Sequence, residues 1–175
     1  MKFSRILKPQ LRLLGAVSLL LLSPNVFAEK SNPYVELDYV RSTVTVDGYE
    51  FKPYHAKIKG GYYLQDKIAI ELQYADSGDE TVNGQTLTLE KMFGYFVRLD
   101  SDLQNRVRIY VLAGQVHSTI KATSSHDLKD IAYGIGAEEQ LQSYRNAYIT
   151  IEYGKFLSAD GVDLKELSLG IRFDF

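Results

Sequence analysis

From Leu167 to the last residue the chain alternates without a slip: Leu167, Leu169, Ile171, Phe173 and Phe175 are apolar, and Ser168, Gly170, Arg172 and Asp174 fall between them. Side chains on a strand point to opposite faces with period 2, so this segment predicts a strand with one apolar and one polar face. Five large apolar side chains on one face need an apolar surrounding, while Arg172 and Asp174 need a polar one. A chain built of such strands has to provide both environments, and the remaining question is which lies outside.

The N-terminus argues for export. Lys2, Arg5, Lys8 and Arg12 form a basic segment, Leu13 to Leu22 a short apolar run, and Ser23-Pro24 a helix break. The run is too short for a membrane-spanning helix and fits a secretory leader. Small residues at Val26 and Ala28 predict a signal peptide over 1–28, cleaved between Ala28 and Glu29, with residues 29–175 as one domain. An uncleaved signal anchor is the alternative. No cysteine follows, which excludes a lipid-modified N-terminal cysteine and any disulfide, so stability must come from a closed hydrogen-bonded framework or a sizeable core.

Of 20 basic and 22 acidic residues, the leader holds four basic and no acidic ones, so the mature chain carries about six net negative charges. That balance argues against nucleic acid as a partner, and against a polybasic surface of the kind that holds heparin or anionic headgroups. Thirteen tyrosines, eight phenylalanines and no tryptophan give an aromatic-rich chain, and tyrosine suits a membrane interface, where its ring is buried and its hydroxyl wetted.

After the leader there is no long helical period and no apolar run of about 18 residues. Eight strands are predicted, at 33–42, 54–64, 68–75, 87–99, 107–121, 131–141, 147–157 and 164–175. In the second, Lys57, Lys59, Gly61 and Tyr63 oppose Ala56, Ile58, Gly60 and Tyr62; in the sixth, Gly134, Gly136 and Glu138 oppose Tyr133, Ile135 and Ala137. The fourth is irregular. With Glu90, Met92, Phe96 and Arg98 inward, Lys91 is left near the lipid rim, and a bulge near Met92 would resolve it. Links at 43–53, 76–86, 122–130 and 158–163 are long and polar, whereas 65–67, 100–106 and 142–146 are short.

Long links alternating with short ones, tyrosines toward strand ends and a charged face of both signs predict an all-β, eight-stranded antiparallel up-and-down transmembrane β-barrel with both termini in the periplasm. A soluble lipocalin-like periplasmic barrel would use the same alternation with its charged face turned to water.

Tyr62–Leu72, Tyr133–Glu138, Ile151-Glu152-Tyr153 and the terminal strand together resemble the small eight-stranded bacterial outer-membrane barrels, the OmpX-like proteins and the membrane domain of the OmpA family. Ser168, Gly170, Phe173 and Phe175 match the polar-x-Gly-x-x-aromatic-x-aromatic signal read by the barrel-assembly machinery, which the resemblance makes a partner during biogenesis. It also implies a side-chain-filled interior in which Glu138 and Glu152 are buried acids paired with basic residues. The arginine that the OmpA family places two residues before the second acid is Thr150 here, so that pair does not carry over.

An eight-stranded lumen is just wide enough for its own side chains. Glu36, Asp38, Lys57, Lys59, Glu71, Glu138, Glu152 and Arg172 are therefore expected to form a mutually paired interior charge network that plugs the barrel, with a narrow gated channel as the alternative.

Catalysis has little to stand on. His126 lies beside Ser124, Ser125 and Asp127, and Asp76-Ser77 opens another link, but no His-x-Ser pattern of the lipid A deacylases is present; His117 reads as an interior polar group. Acidic links with Asp47, Glu50, Asp79, Glu80, Asp127 and Asp160 lack calcium-loop spacing, although divalent cations could bridge them to lipopolysaccharide phosphates. No catalytic residue, metal or cofactor is expected. The expected function is non-enzymatic: a monomeric integral outer-membrane barrel among lipid and lipopolysaccharide, serving envelope structure or binding an unknown surface ligand through four external loops. A lipid A-modifying enzyme is the alternative.

Overall fold

The computed structural model describes residues 33–46, 48–82, 84–121, 125–159 and 161–175; the predicted leader and its Ala28/Glu29 junction lie outside them. The strands are β1 (Pro33–Val46), β2 (Tyr49–Phe51), β3 (Tyr54–Gln65), β4 (Ile68–Ala75), β5 (Gly78–Val82), β6 (Gln85–Asp100), β7 (Val107–Lys121), β8 (Ser125–Gln140), β9 (Ala147–Ala159) and β10 (Val162–Asp174). All pairings are antiparallel in the order β10-β9-β8-β7-β6-β4-β3-β1, and β10 pairs with β1, so the sheet closes on itself. β2 continues the stave of β3 and β5 that of β4, which leaves eight staves. Pro53 accounts for the first interruption: it has no N–H for the ladder, while its carbonyl accepts from Ser42 N at 3.0 Å.

The closing seam runs from Tyr34↔Asp174 to Val46↔Val162, and beyond it Phe175 N donates to Pro33 O at 3.1 Å. Alternation along every stave puts charge inside and aliphatic and aromatic side chains outside. Tyr39, Leu72, Val97, Ile131, Ile151 and Leu169 are each about half exposed or more, whereas Glu36, Lys59, Arg98 and Arg172 are fully buried. That inside-out distribution excludes the soluble barrel, which would need the reverse.

The four long links differ from the expectation. Segments 43–46, 78–82, 85–86, 125–130 and 158–159 are paired strand, so the external loops are hairpins projecting from the barrel with short tips. The missed signal was the turn chemistry. Asp47-Gly48, Asn83-Gly84 and Asp160-Gly161 are the dipeptides of tight hairpins, and Gly48, Gly84 and Gly161 hold φ of 82°, 78° and 79°, which only glycine adopts freely.

Bulges shape the lumen. In β6 the register shifts between Leu89 and Lys91, slightly earlier than expected, leaving Glu90 half buried rather than fully inward. Both Leu89 and Met92 then point inward, and Lys91 stays on the outer wall. The β9–β10 register slips at Leu164/Lys165, where consecutive Phe156 and Leu157 are both buried. These side chains join Phe51, Leu87, Phe96 and Ile120 in an apolar layer filling the external half of the lumen.

Gly170 sits where the seam is tightest: a Cβ there would lie 1.9 Å from Asp38 Oδ1 and 2.8 Å from Leu37 O. Gly170→Ala is expected to destabilise the folded barrel by roughly 1–3 kcal/mol, as overpacking does, measured by urea denaturation in vesicles.

Candidate functional site

Below the apolar layer the lumen holds two complementary charge clusters. In the first, one carboxylate gathers three arginines. Glu138 Oε2 accepts from Arg98 Nη2 at 2.5 Å and Arg172 Nη1 at 2.7 Å, while Oε1 accepts from Arg108 Nε at 2.6 Å. Each arginine is held again from its own side: Arg98 Nε donates to Asp100 Oδ1 at 2.7 Å, Arg108 Nη1 lies 3.3 Å from Asp100 Oδ2, and Arg172 donates to both Asp174 oxygens. Aromatic faces complete the packing, with the Arg98 guanidinium 3.6 Å from the Tyr110 centroid and that of Arg172 4.5 Å from Tyr148 and 4.8 Å from Tyr34.

The second cluster reverses the signs. Lys59 Nζ meets Glu36 Oε1 at 3.1 Å, Asp38 Oδ2 at 2.8 Å and Glu152 Oε2 at 2.9 Å. Thr150 Oγ1 donates to Glu36 Oε1 at 2.8 Å, and Tyr110 Oη donates to Glu152 Oε2 at 3.0 Å. Thus where the related pattern carries arginine, Thr150 is a donor to a carboxylate, and Lys59 from β3 supplies the charge. Glu71 accepts from Tyr34 Oη at 2.5 Å and Gln73 Nε2 at 2.7 Å. Against the apolar layer, Lys57 pairs with Glu166 while lying 4.1 Å from the Phe156 ring centroid.

All eight residues expected in the interior network are buried. Glu36, Asp38, Lys59 and Glu152 meet in one cluster, Glu138 and Arg172 in the other, and Lys57 stands apart with Glu166. Sequence reasoning left Asp100, Arg108 and Glu166 out of the network, and Arg98 was placed inward without a partner. Glu166 shares the parity of Ser168 and Arg172, which was the available signal. Of the terminal signal, Ser168 and Gly170 are buried, Phe173 is half buried and Phe175 is exposed at the rim.

A hydrolytic centre does not assemble among the described residues. Ser42 Oγ and His55 Nε2 each lie 3.3 Å from Glu166 Oε1, so the carboxylate sits between serine and histidine, where a hydrolase relay needs histidine in the middle. Ser42 is also fully buried. His117 corrects the expectation: odd-numbered residues of β7 face outward, so it is exposed on the wall, and Ser118 is the buried neighbour. Ser125 is exposed and Asp127 accepts from Thr119 Oγ1, while Ser124 and the His126 side chain lie outside the described residues. At the external end Glu50 is held below the usual carboxylate range by its hydrogen bond to Lys52.

The family model described as outer membrane protein beta-barrel domain matches residues 14–175. The chain belongs to this family. Membership makes it an outer-membrane β-barrel. Solved structures of similar fold include the attachment invasion locus protein Ail of Yersinia pestis, at 19% identity and TM-score 0.64 over 84% of this chain and all of that one. Ail has also been solved with the heparin analogue sucrose octasulfate. Neisserial surface protein A aligns at 18% identity and TM-score 0.65 over 82% of this chain and 97% of that one, and OprG of Pseudomonas aeruginosa at 11% and 0.57 over 86% and 99%. No curated protein sequence matches the chain.

Removing one partner of a buried pair leaves the other charge uncompensated. Glu138→Gln is expected to cost about 3–5 kcal/mol, whereas Lys67→Met, which breaks an exposed pair with Asp102, should cost at most about 1 kcal/mol. Urea titrations of both variants in the same vesicles check the contrast.

Proposed function

We propose that the protein is a closed, non-enzymatic outer-membrane barrel that serves envelope structure and presents its four external hairpins for surface interaction, without a conducting pore. The observation that carries this reading is the two-layer filling of the lumen. Ions entering from outside would have to cross the apolar layer of Leu87, Leu89, Phe96, Phe156 and Leu164 before reaching the two charge clusters. Below it, the charges are engaged with one another rather than lining a free path. A narrow gated channel is therefore the weaker reading.

Planar-bilayer recording of the purified chain should show no stepwise conductance. Phe156→Ala combined with Leu89→Ala should introduce small conductance steps by thinning the apolar layer. Large open steps in the unsubstituted protein would overturn the closed-barrel reading. The lipid A mass spectrum of a deletion strain should be unchanged, and an altered acyl pattern restored by the wild-type chain would instead establish an enzyme.

The hairpins support a surface role by their reach, and two structural neighbours carry attachment and surface names. Their acidic residues, Glu50, Asp79, Glu80 and Asp127 among them, favour a cationic or neutral partner at the tips over a polyanion like that bound by the Yersinia protein. The terminal strand serves as the address for the barrel-assembly machinery through Ser168, Gly170, Phe173 and Phe175. Deleting Phe175 should lower the yield of heat-modifiable barrel more than substituting any hairpin-tip residue does; equal yields would remove the address role.

A further inference from the structure

Three hairpins put glycine in the left-handed backbone region, at Gly48, Gly84 and Gly161, and the turn between β6 and β7 puts an arginine there instead. That turn is the two-residue loop Asn105-Arg106, with φ of 50° and 71°. It is closed on both sides, Gln104 N donating to Val107 O and Val107 N to Gln104 O, each at 2.9 Å. Asparagine tolerates this conformation, whereas an arginine in it carries a steric cost that glycine avoids.

The contacts of Arg106 within the chain do not offset that cost. Its carbonyl accepts from Gln140 N at 2.8 Å, a bond that a glycine carbonyl would accept equally. Its guanidinium meets Glu139 Oε1 at 3.4 Å, with both side chains about half exposed. An exposed pair of that length contributes less than a left-handed backbone costs a residue with a side chain. The guanidinium is therefore matched to something outside the chain.

Its surroundings say what. Glu139 ends the lipid-facing side of β8 after Tyr133, Ile135 and Ala137, and stands between Val107 on β7 and Ile149 on β9, both about half exposed. Arg106 thus reaches along the rim of the apolar wall and not into the lumen, where Arg108 holds Glu138. A second arginine is fixed beside it. Gln140 donates its backbone N–H to Arg106 O and its side-chain amide to Arg145 O at 2.5 Å, so one residue ties both arginine turns together. Arg145 is exposed, has no carboxylate partner among the described residues, and follows the largely exposed Tyr144.

We propose that this rim binds a zwitterionic phospholipid bearing a primary ammonium, its phosphate held by Arg106 and Arg145 and its ammonium donating to Glu139. Phosphate matches the planar donors of a guanidinium, and ammonium N–H groups match a carboxylate. Opposite charges side by side favour a headgroup that carries both over a purely anionic one. A lipid is favoured over a soluble zwitterion because the pair ends an aliphatic strip of Ile109, Ile135 and Ile149, along which acyl chains would lie. With the short turns periplasmic, as in bacterial outer-membrane barrels, the lipid is one of the inner leaflet. The inference rests on the outer-membrane placement and not on the closed lumen.

The test uses the mature chain folded into vesicles of phosphatidylcholine, phosphatidylethanolamine and phosphatidylglycerol in equal parts, or of phosphatidylcholine alone. Native mass spectrometry after gentle release should find phosphatidylethanolamine retained several-fold over the other two. Arg106→Gly should keep the urea midpoint in phosphatidylcholine unchanged or raise it, because the turn relaxes, and yet lose the retained lipid. Glu139→Gln should retain phosphatidylethanolamine and phosphatidylcholine alike, and Lys129→Thr, at the opposite end of the barrel, should behave as the wild type. A lower urea midpoint for Arg106→Gly would show that the arginine serves the turn itself and would overturn the proposal. So would unchanged retention by that variant, equal retention of the three lipids by the wild type, or a preference for phosphatidylglycerol, which would mark a plain anion site. Failure of the wild type to insert into either vesicle would remove the membrane placement and the proposal with it.

Discussion

Everything in this barrel depends on the hydrogen bonds between β1 and β10. In hydrocarbon there is no water to satisfy an open strand edge, and each unpaired backbone group there costs several kcal/mol, so a sheet spanning a membrane has to close. Closure from Tyr34↔Asp174 to Val46↔Val162 removes both edges at once. It also fixes the number of staves at eight, and with it a lumen that side chains must fill. The crowding is visible where backbone faces ring: a Cβ on Gly136 would lie 2.2 Å from the Tyr110 ring, the same ring that stacks on Arg98. Small residues on one stave thus make the space in which large ones on the next can hold the charges.

A charged core is tolerable here because opposite charges meet at two centres, even though Glu36 Oε2, both Asp38 oxygens, Glu152 Oε1 and Arg98 Nη1 accept or donate no hydrogen bond among the described residues. Burying a lone guanidinium or carboxylate is prohibitive, whereas a carboxylate shared by three arginines, or an ammonium shared by three carboxylates, has its hydrogen-bonding capacity filled locally. The two clusters are stitched together by the tyrosine on β7, whose ring lies on Arg98 and whose hydroxyl donates to Glu152. The apolar layer above needs a different device. Leu89 and Met92 differ in parity and could not share a face on a regular strand; the bulge at Glu90 allows it, and consecutive Phe156 and Leu157 do the same on β9. Local irregularity in two staves is what turns a charged lumen into a capped one.

The architecture was legible in the sequence because alternation is a local property. Leu167 to Phe175, Lys57 to Tyr63 and Gly134 to Glu138 each declare their two faces without reference to any partner. The eight interior charges followed from the same parity. Who pairs with whom was not legible, since Glu138 meets Arg98, Arg108 and Arg172 from three other strands only after the registers are set. Phase changes were harder still: Leu87, Leu89 and Met92 contradict simple alternation, and a bulge can be inferred from such a run more easily than placed. The hairpin extensions were missed for another reason. Their Thr, Asp and Gly content reads as loop, although the Asx-Gly pairs at 47–48, 83–84 and 160–161 mark tight turns between strands.

Charge is partitioned by surface in a way the net value conceals. Among the described residues seven buried acids, Glu36, Asp38, Glu71, Asp100, Glu138, Glu152 and Glu166, face four buried bases, Lys57, Lys59, Arg98 and Arg172, with Arg108 closing the cluster from the lumen's edge. The interior therefore absorbs much of the acidity, and the hairpins, with Glu50, Asp79, Glu80 and Asp127, carry more of it. The wall between them carries Arg41, Lys91, Lys155 and Lys165, with Asp163 paired to two of these lysines. A membrane barrel meets three media, its own packed lumen, lipid and external water. Because strand parity separates the first two and height along the strand separates the last two, a single alternating sequence can present a different charge to each.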